Sequence, residues 1–261
     1  MSQIKLNWLF FFILFLFSEV GFTQQPNLDF ISFTALEKIT NSKSSSIVQD
    51  SVGYLWIGTD EGLFRYDGQS VYTYQYVEND PKSLPSNIVN KLFVDSAKNL
   101  WILTNNGLCI YNPEFDNFTS IVSQSDFRGV SSAYITAITE DKTGQIYVAC
   151  DQFIYKYNQS EKLFSEVTKL DQGRINSMIF DDLNNIWIAA TLNGGLNYYD
   201  QKTQRISSFI NESLNPHSIS SNEISDIELL KDVLWIASDG GGINTYNLQR
   251  KSFKRYLFQL N

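Results

Sequence analysis

An all-β propeller built from four-stranded antiparallel blades is the fold this sequence predicts. Three observations carry that expectation. Five segments are near-copies of one another: Leu55-Trp56-Ile57-Gly58-Thr59, Leu100-Trp101-Ile102-Leu103-Thr104, Ile146-Tyr147-Val148-Ala149-Cys150, Ile186-Trp187-Ile188-Ala189-Ala190 and Leu234-Trp235-Ile236-Ala237-Ser238. Their central aromatics step by 45, 46, 40 and 48 residues, a period at home in propeller blades. Each copy is followed by a Tyr-Asx pair, at Tyr66-Asp67, Tyr111-Asn112, Tyr157-Asn158, Tyr199-Asp200 and Tyr246-Asn247. The apolar runs between them are short and bounded by Gly, Asn and Asp, which argues strands and against the long capped stripes of helices.

Within a repeat, each element follows from residue chemistry. Segments such as Ile135-Thr136-Ala137-Ile138 and Ile175-Asn176-Ser177-Met178-Ile179-Phe180 read as inner strands. Asp50, Asp95, Asp141 and Asp181 stand six residues before the central aromatic, followed by turn formers such as Gly53, Gly144 and Asn184. An Asp can bond backbone two residues on, so these are hairpin turns; in the fifth repeat the slot holds Leu229 and the turn moves to Lys231-Asp232. After the aromatic strand comes Gly62, Gly107, Gly195 or Gly242, four residues before the Tyr, with Phe153 in that slot in the third repeat. The Asx then turns the chain into an outer strand bearing Tyr74, Phe118, Phe164, Phe209 or Phe253. The predicted blades span 46–77, 88–122, 134–168, 174–210 and 223–258, with the central aromatics packed between neighbours.

A chain of 261 residues with 43% apolar and 15% aromatic residues suits one large all-β domain. Lys+Arg 20 against Asp+Glu 28 leaves a net charge of -8, which disfavours capture of phosphate backbones or anionic lipid, so no nucleic-acid partner is expected. Residues 1–23 read as a signal peptide: Lys5 supplies the positive end, Trp8 to Phe17 is an apolar run, and Gly21 and Thr23 offer small residues for cleavage. That run is well short of the roughly 18 apolar residues a membrane span needs. The propeller would then occupy 24–261 of an exported protein, its charge still -8 because Lys5 and Glu19 leave together. Cys109 and Cys150 sit in different slots of their repeats, so no disulfide framework is expected.

The pattern D-x-x-G-x-L-W-I-G-T-x-x-G-L-x-R-Y-D, intact from Asp50 to Asp67, resembles the two-component regulator propeller repeat. Two linkers, Asp80-Pro81-Lys82-Ser83-Leu84-Pro85-Ser86-Asn87 and Asn215-Pro216-His217-Ser218-Ile219-Ser220-Ser221-Asn222, resemble a blade-joining segment of the same family. The third repeat departs from the pattern, with Tyr147 for Trp and Phe153 for Gly. The resemblance implies the periplasmic sensor portion of a hybrid two-component histidine kinase that acts through a phosphorelay. It also implies a carbohydrate-type ligand, a homodimer formed through the propeller, and an inner-membrane anchor supplied by downstream segments. It implies seven blades as well. Phe30 to Leu36 reads as an early strand that would complete the last blade of such a ring, whose other strands would follow residue 261; five of seven blades are therefore expected here.

The chemistry-bearing residues point to binding and away from catalysis. The single histidine, His217, lies in a polar linker, and no G-x-S-x-G elbow accompanies it. Cys and His at zinc spacing are missing, and Asp181-Asp182-Leu183-Asn184-Asn185 lacks the order of a calcium loop, so no metal and no cofactor are expected. Asn193-Gly194-Gly195 and Asp239-Gly240-Gly241-Gly242 lack the Lys-Ser/Thr pair of a phosphate cradle and read as turns. Propeller loops converge on a central channel, and binding residues favour such loops. The candidate ligand-binding residues are accordingly Asp60, Glu61, Asn105, Asn106, Asn193 and Asp239, on the turns between second and third strands. Two rival expectations remain: a freestanding secreted propeller that binds protein or glycan, and a propeller lyase or hydrolase resembling the streptogramin lyases in architecture.

Overall fold

The first four repeats are opened by an Asp, and in the first two its two carboxylate oxygens serve different elements. Asp50 Oδ1 accepts the backbone N–H groups of Val52, Gly53 and Tyr54 at 3.0, 2.9 and 3.0 Å, which closes the first hairpin turn. Its Oδ2 accepts the indole N–H of Trp56 at 2.7 Å. Asp95 repeats the pair of roles, taking the Asn99 N–H on Oδ1 and the Trp101 indole on Oδ2, each at 2.8 Å. Asp141 accepts from Thr143 and Gln145, and Asp181 from Leu183 and Asn185. In the first two blades the turn residue thus also orients the indole six positions on, through bonds made within its own sheet.

The computed structural model describes residues 39, 42–122 and 135–256. The expected signal peptide at 1–23, the early strand at 30–36 and the last residues of the fifth blade lie outside them. The described residues fall in one unit, Ala35–Asn261, and form five four-stranded sheets, each an antiparallel meander in chain order. The first sheet holds β1 (Ser44–Gln49), β2 (Leu55–Thr59), β3 (Leu63–Tyr66) and β4 (Val71–Tyr74); the second holds β5 (Val89–Val94), β6 (Leu100–Thr104), β7 (Gly107–Asn112) and β8 (Asn117–Val122). The third comprises β9 (Ile135–Glu140), β10 (Ile146–Cys150), β11 (Phe153–Asn158) and β12 (Leu163–Lys169). The fourth comprises β13 (Arg174–Phe180), β14 (Ile186–Thr191), β15 (Gly195–Asp200) and β16 (Arg205–Phe209), and the fifth β17 (Ile224–Leu230), β18 (Val233–Ser238), β19 (Gly242–Asn247) and β20 (Ser252–Tyr256). Inner strands pack in order, β1 on β5, β5 on β9, β9 on β13 and β13 on β17. This is a β-propeller.

The core lies between the sheets. The central aromatic of one blade meets the Tyr of the Tyr-Asx pair in the next: Trp56 with Tyr111 at a ring separation of 4.6 Å, Trp101 with Tyr157 at 5.9 Å, and Trp187 with Tyr246 at 5.3 Å. Tyr147 and Tyr199 share a fourth such cluster. Aromatic pairs of this kind contribute about 0.5–1.5 kcal/mol beyond the area they bury. Close approach is enforced at Gly58, where an added Cβ would lie 2.6 Å from Val89 Cγ1 of the next blade. The Asx residues close the turns into the outer strands, Asp67 accepting from the Gln69 and Ser70 N–H groups and Asn158 from Ser160 and Glu161.

The fifth blade differs. Trp56, Trp101, Tyr147 and Trp187 are 0–4% exposed, whereas Trp235 is 38% exposed and shares its face with exposed Ile243 and Tyr256. The other face of the same blade, through Ile224, Ile227, Leu234 and Ile236, is buried against the fourth. Replacing Trp187 by Ala removes a buried intersheet anchor and is expected to cost about 3–5 kcal/mol, while Trp235→Ala costs a small fraction of that. Chemical denaturation of the two variants measures both, and equal losses would contradict this account of the core.

Acid lability follows from the Asp141 turn. Burial pushes the Asp141 carboxyl up, but hydrogen bonds from Thr143, Gln145 and Asn184 together bring it below its ordinary value of 3.8. A carboxyl depressed in the folded state contributes stability that is present above that value and is lost as pH falls through the folded pKa. Asp141→Asn is therefore expected to be less stable than the parent at neutral pH and to lose less further stability on acidification. Denaturation midpoints between pH 7 and pH 3 that run parallel for the two proteins would sink this expectation.

Candidate functional site

Every inner strand carries a β-bulge at the same place. Register shifts fall between Ser44 and Ser46, Val89 and Lys91, Ile135 and Ala137, Ile175 and Ser177, and Ile224 and Asp226. The extra residues are Ser45, Asn90, Thr136, Asn176 and Ser225, all small and polar. A bulge breaks the two-residue alternation and re-aims one side chain while the strand keeps its apolar face in the core. All five extra residues line one cavity of about 660 Å³ at the centre of the inner strands, joined by Ser46, Lys91, Asn105, Ile135, Arg174 and Asp226.

The wall is partly pre-arranged by its own hydrogen bonds. Ser45 Oγ donates to Val89 O at 2.5 Å, linking the first two blades. Asn90 Nδ2 donates to Asn105 Oδ1 at 2.9 Å and Asn176 Nδ2 to Thr191 Oγ1 at 3.3 Å, which leaves each amide oxygen as an acceptor on the channel. Ser225 Oγ donates to Ala237 O at 3.1 Å. Thr136 Oγ1 is buried with no partner among the described residues. Such a wall presents fixed hydrogen-bonding groups, and in cavities a few correctly placed polar groups set orientation and selectivity.

Of the six residues proposed from sequence, the structure brings Asn105 to this wall. The others stay at the rim and tie hairpins to linkers. Asp60 Oδ1 accepts the Lys43 N–H at 2.8 Å, and the Glu61 carbonyl accepts from Gln75 Nε2. Asn106 Nδ2 donates to Pro85 O, and Asn193 Oδ1 accepts from Asn222 Nδ2. The Asp239 N–H donates to Glu223 O. The bulge residues were missed because they read as ordinary members of alternating strands. The signal that marks them is positional: a Ser, Asn or Thr eleven residues before the central aromatic in four repeats and ten in the fifth.

The two linkers fold alike. Ser83 Oγ accepts the Val77 N–H and Ser218 Oγ the Glu212 N–H, both at 2.9 Å. Asn87 Oδ1 accepts from the Tyr76 N–H, and Asn222 Oδ1 from the Asn211 N–H. Leu84 and Ile219 fill the same slot, fully buried. His217 is exposed in the second linker and away from the channel wall, its backbone N–H bonded to Asn215 Oδ1. Cys109 and Cys150 are free thiols in the intersheet core, and burial pushes Cys150 up to about 12, so neither is a nucleophile near neutral pH.

A second cluster, at the outer edge between the first two blades, is structural. The Arg65 guanidinium lies over the rings of Tyr54, Trp56, Tyr72 and Tyr74 at 4.6–5.6 Å. It donates to Tyr111 OH at 2.7 Å and to Asp116 Oδ1 at 3.1 Å. Burial together with the Asp116 hydrogen bond pushes the Tyr111 hydroxyl up to about 12, so it stays a neutral donor. Cation–π contacts of this kind are worth roughly 0.5–2 kcal/mol each according to desolvation. Arg65→Gln is expected to lower the unfolding midpoint and leave any channel binding unchanged. A thermal melt paired with a binding titration checks both halves.

Among the described residues no group of three or more His, Cys, Asp and Glu side chains is arranged to hold a metal ion. No described helix is long and apolar enough to cross a membrane. The class these features define is a β-propeller with a polar central channel. Residues 38–61 and 83–106 match the family described as "Two component regulator propeller". Histidine kinase P4 of Formosa agariphila is 36% identical over 75 residues, which is 28% of this chain and 5% of the kinase. Among solved structures, the extracellular domain assigned to the hybrid two component system BT4673 of B. thetaiotaomicron superposes with a TM-score of 0.55 at 19% identity, over 83% of this chain and 38% of that one. A catalytically inactive virginiamycin B lyase from Staphylococcus aureus, solved with quinupristin, gives 0.62 at 13% identity over 84% and 71%. At such identities both likenesses are of fold, and the chain spans well under half the length of the kinase and of the extracellular domain.

Proposed function

We propose that this chain is the ligand-reading propeller of an exported, extracytoplasmic two-component sensor, and that it holds a polyhydroxylated, carbohydrate-type ligand in the central channel without chemically altering it. The observation that carries the reading is the ring of five bulge residues, Ser45, Asn90, Thr136, Asn176 and Ser225, on one cavity wall. The family match over residues 38–61 and 83–106 supports the signalling context, as does the fold shared with an extracellular domain of a hybrid system. A ligand that binds one arrangement of the propeller better than another would shift a signalling equilibrium by that difference in affinity. Self-association through propeller surfaces belongs to the same reading, and the exposed Trp235, Ile243 and Tyr256 face supplies apolar area for it.

The lyase-like reading gains nothing from the channel, whose lining side chains among the described residues include no histidine, cysteine or tyrosine. Calorimetric titration of the purified chain against a panel of soluble oligosaccharides tests the proposal. Asn176→Leu is expected to weaken binding at least tenfold, while Asp60→Ala and Asp239→Ala leave it unchanged. Loss of binding in the two rim variants, with Asn176→Leu unaffected, would move the site to the hairpin turns. No binding by any member of the panel would defeat the reading.

A further inference from the structure

The channel wall is polar apart from Ile135, but its charge is uneven. Its charged side chains are Lys91 on β5, Arg174 on β13 and Asp226 on β17. The ion pairs among the described residues are Arg65–Asp116 and Lys142–Asp182, so the two channel cations are unpaired. The chain as a whole carries -8, yet this wall carries an excess of positive charge. Lys91 follows the bulge in its blade, and the equivalent places elsewhere hold Ser46, Ala137, Ser177 and Asp226. A strand in this fold has no need of a cation there. Two cations from alternate blades, facing one cavity between low-dielectric sheets, focus a positive field into it.

We propose that the channel selects sugars bearing an acidic substituent, a carboxylate or a sulfate, which Lys91 and Arg174 engage from two sides. This rests on the channel reading given above. Charge-assisted hydrogen bonds are shorter and roughly twice as strong as neutral ones, and a planar guanidinium matches the two oxygens of a carboxylate or sulfate. The hydroxyls of the same ligand meet acceptors on the rest of the ring: Asn90 Oδ1, Asn176 Oδ1 and the Asp226 carboxylate. Asp226 sets a limit too, since it repels a second acidic group placed against β17. The ligand that fits is thus sparsely charged and rich in hydroxyls.

The test is calorimetric titration of the full chain with a disaccharide bearing a single uronate, a monosulfated disaccharide and neutral cellotriose, at low and high salt. At least one acidic sugar is expected to bind tenfold or more tightly than cellotriose at low salt, and to lose most of that advantage at high salt. Which of the two does so separates carboxylate from sulfate recognition. Lys91→Gln and Arg174→Gln are each expected to weaken the acidic ligand at least fivefold more than they weaken cellotriose, with circular dichroism unchanged. Equal binding of neutral and acidic sugars, or indifference to both substitutions and to salt, overturns the acidic selectivity while the channel reading stands. If none of the three sugars binds, the channel reading falls and takes this inference with it.

Discussion

The contact between the central aromatic of one blade and the Tyr-Asx tyrosine of the next is the interaction on which the rest of the propeller depends. A single four-stranded sheet cannot bury both of its faces, and it gains stability only by laying one against a neighbour. Trp56 on Tyr111, Trp101 on Tyr157 and Trp187 on Tyr246 are that contact seen three times. The Asp carboxylates of the first two blades orient the indoles from within the same hairpin. The rule also explains its exception, because Trp235 has no sixth tyrosine to meet among the described residues and is left 38% exposed.

With the sheets fixed by their outer two-thirds, the inner strands are free to serve the channel. A strand in strict alternation would have to choose between a continuous apolar face and an inward polar residue. The bulge removes that conflict by adding a residue that belongs to neither face. Repeated five times, it yields a polar ring whose members are held partly by each other, as Ser45 is by Val89 and Asn90 by Asn105. Such a wall loses less freedom when it meets a ligand, which is the benefit of preorganisation.

The repeat, its strand order and its turns were legible in the sequence because they depend on local chemistry. Asp50 and Asp67 make their turn bonds within four residues of themselves. The packing of Trp between blades was legible too, since a large apolar ring recurring in one slot has few other uses. The partner of that Trp was hidden, however, because Tyr111 is 55 positions from Trp56 along the chain. Arg65 was equally opaque: its four rings and its Asp116 partner come from both sides of an intersheet seam. Of the six candidate residues named from sequence, Asn105 is the one that lies on the wall, because the loop residues beside it turn to the linkers instead.

The sequence by itself determined the architecture. Periodicity in hydrophobicity and turn chemistry acts over a few residues, and five in-register repeats leave a propeller as the economical way to bury their faces. Only the tertiary structure decided which polar residues face the channel. A bulge is a property of the pairing between two strands, visible where Ala149 and Cys150 sit opposite Ala137 and Ile135 with Thr136 left over. No residue type announces it, because Ser, Asn and Thr are as common in turns and on solvent faces as in a bulge. The meeting of Lys91 with Arg174 across one cavity is likewise a consequence of bringing the second and fourth inner strands around a common centre.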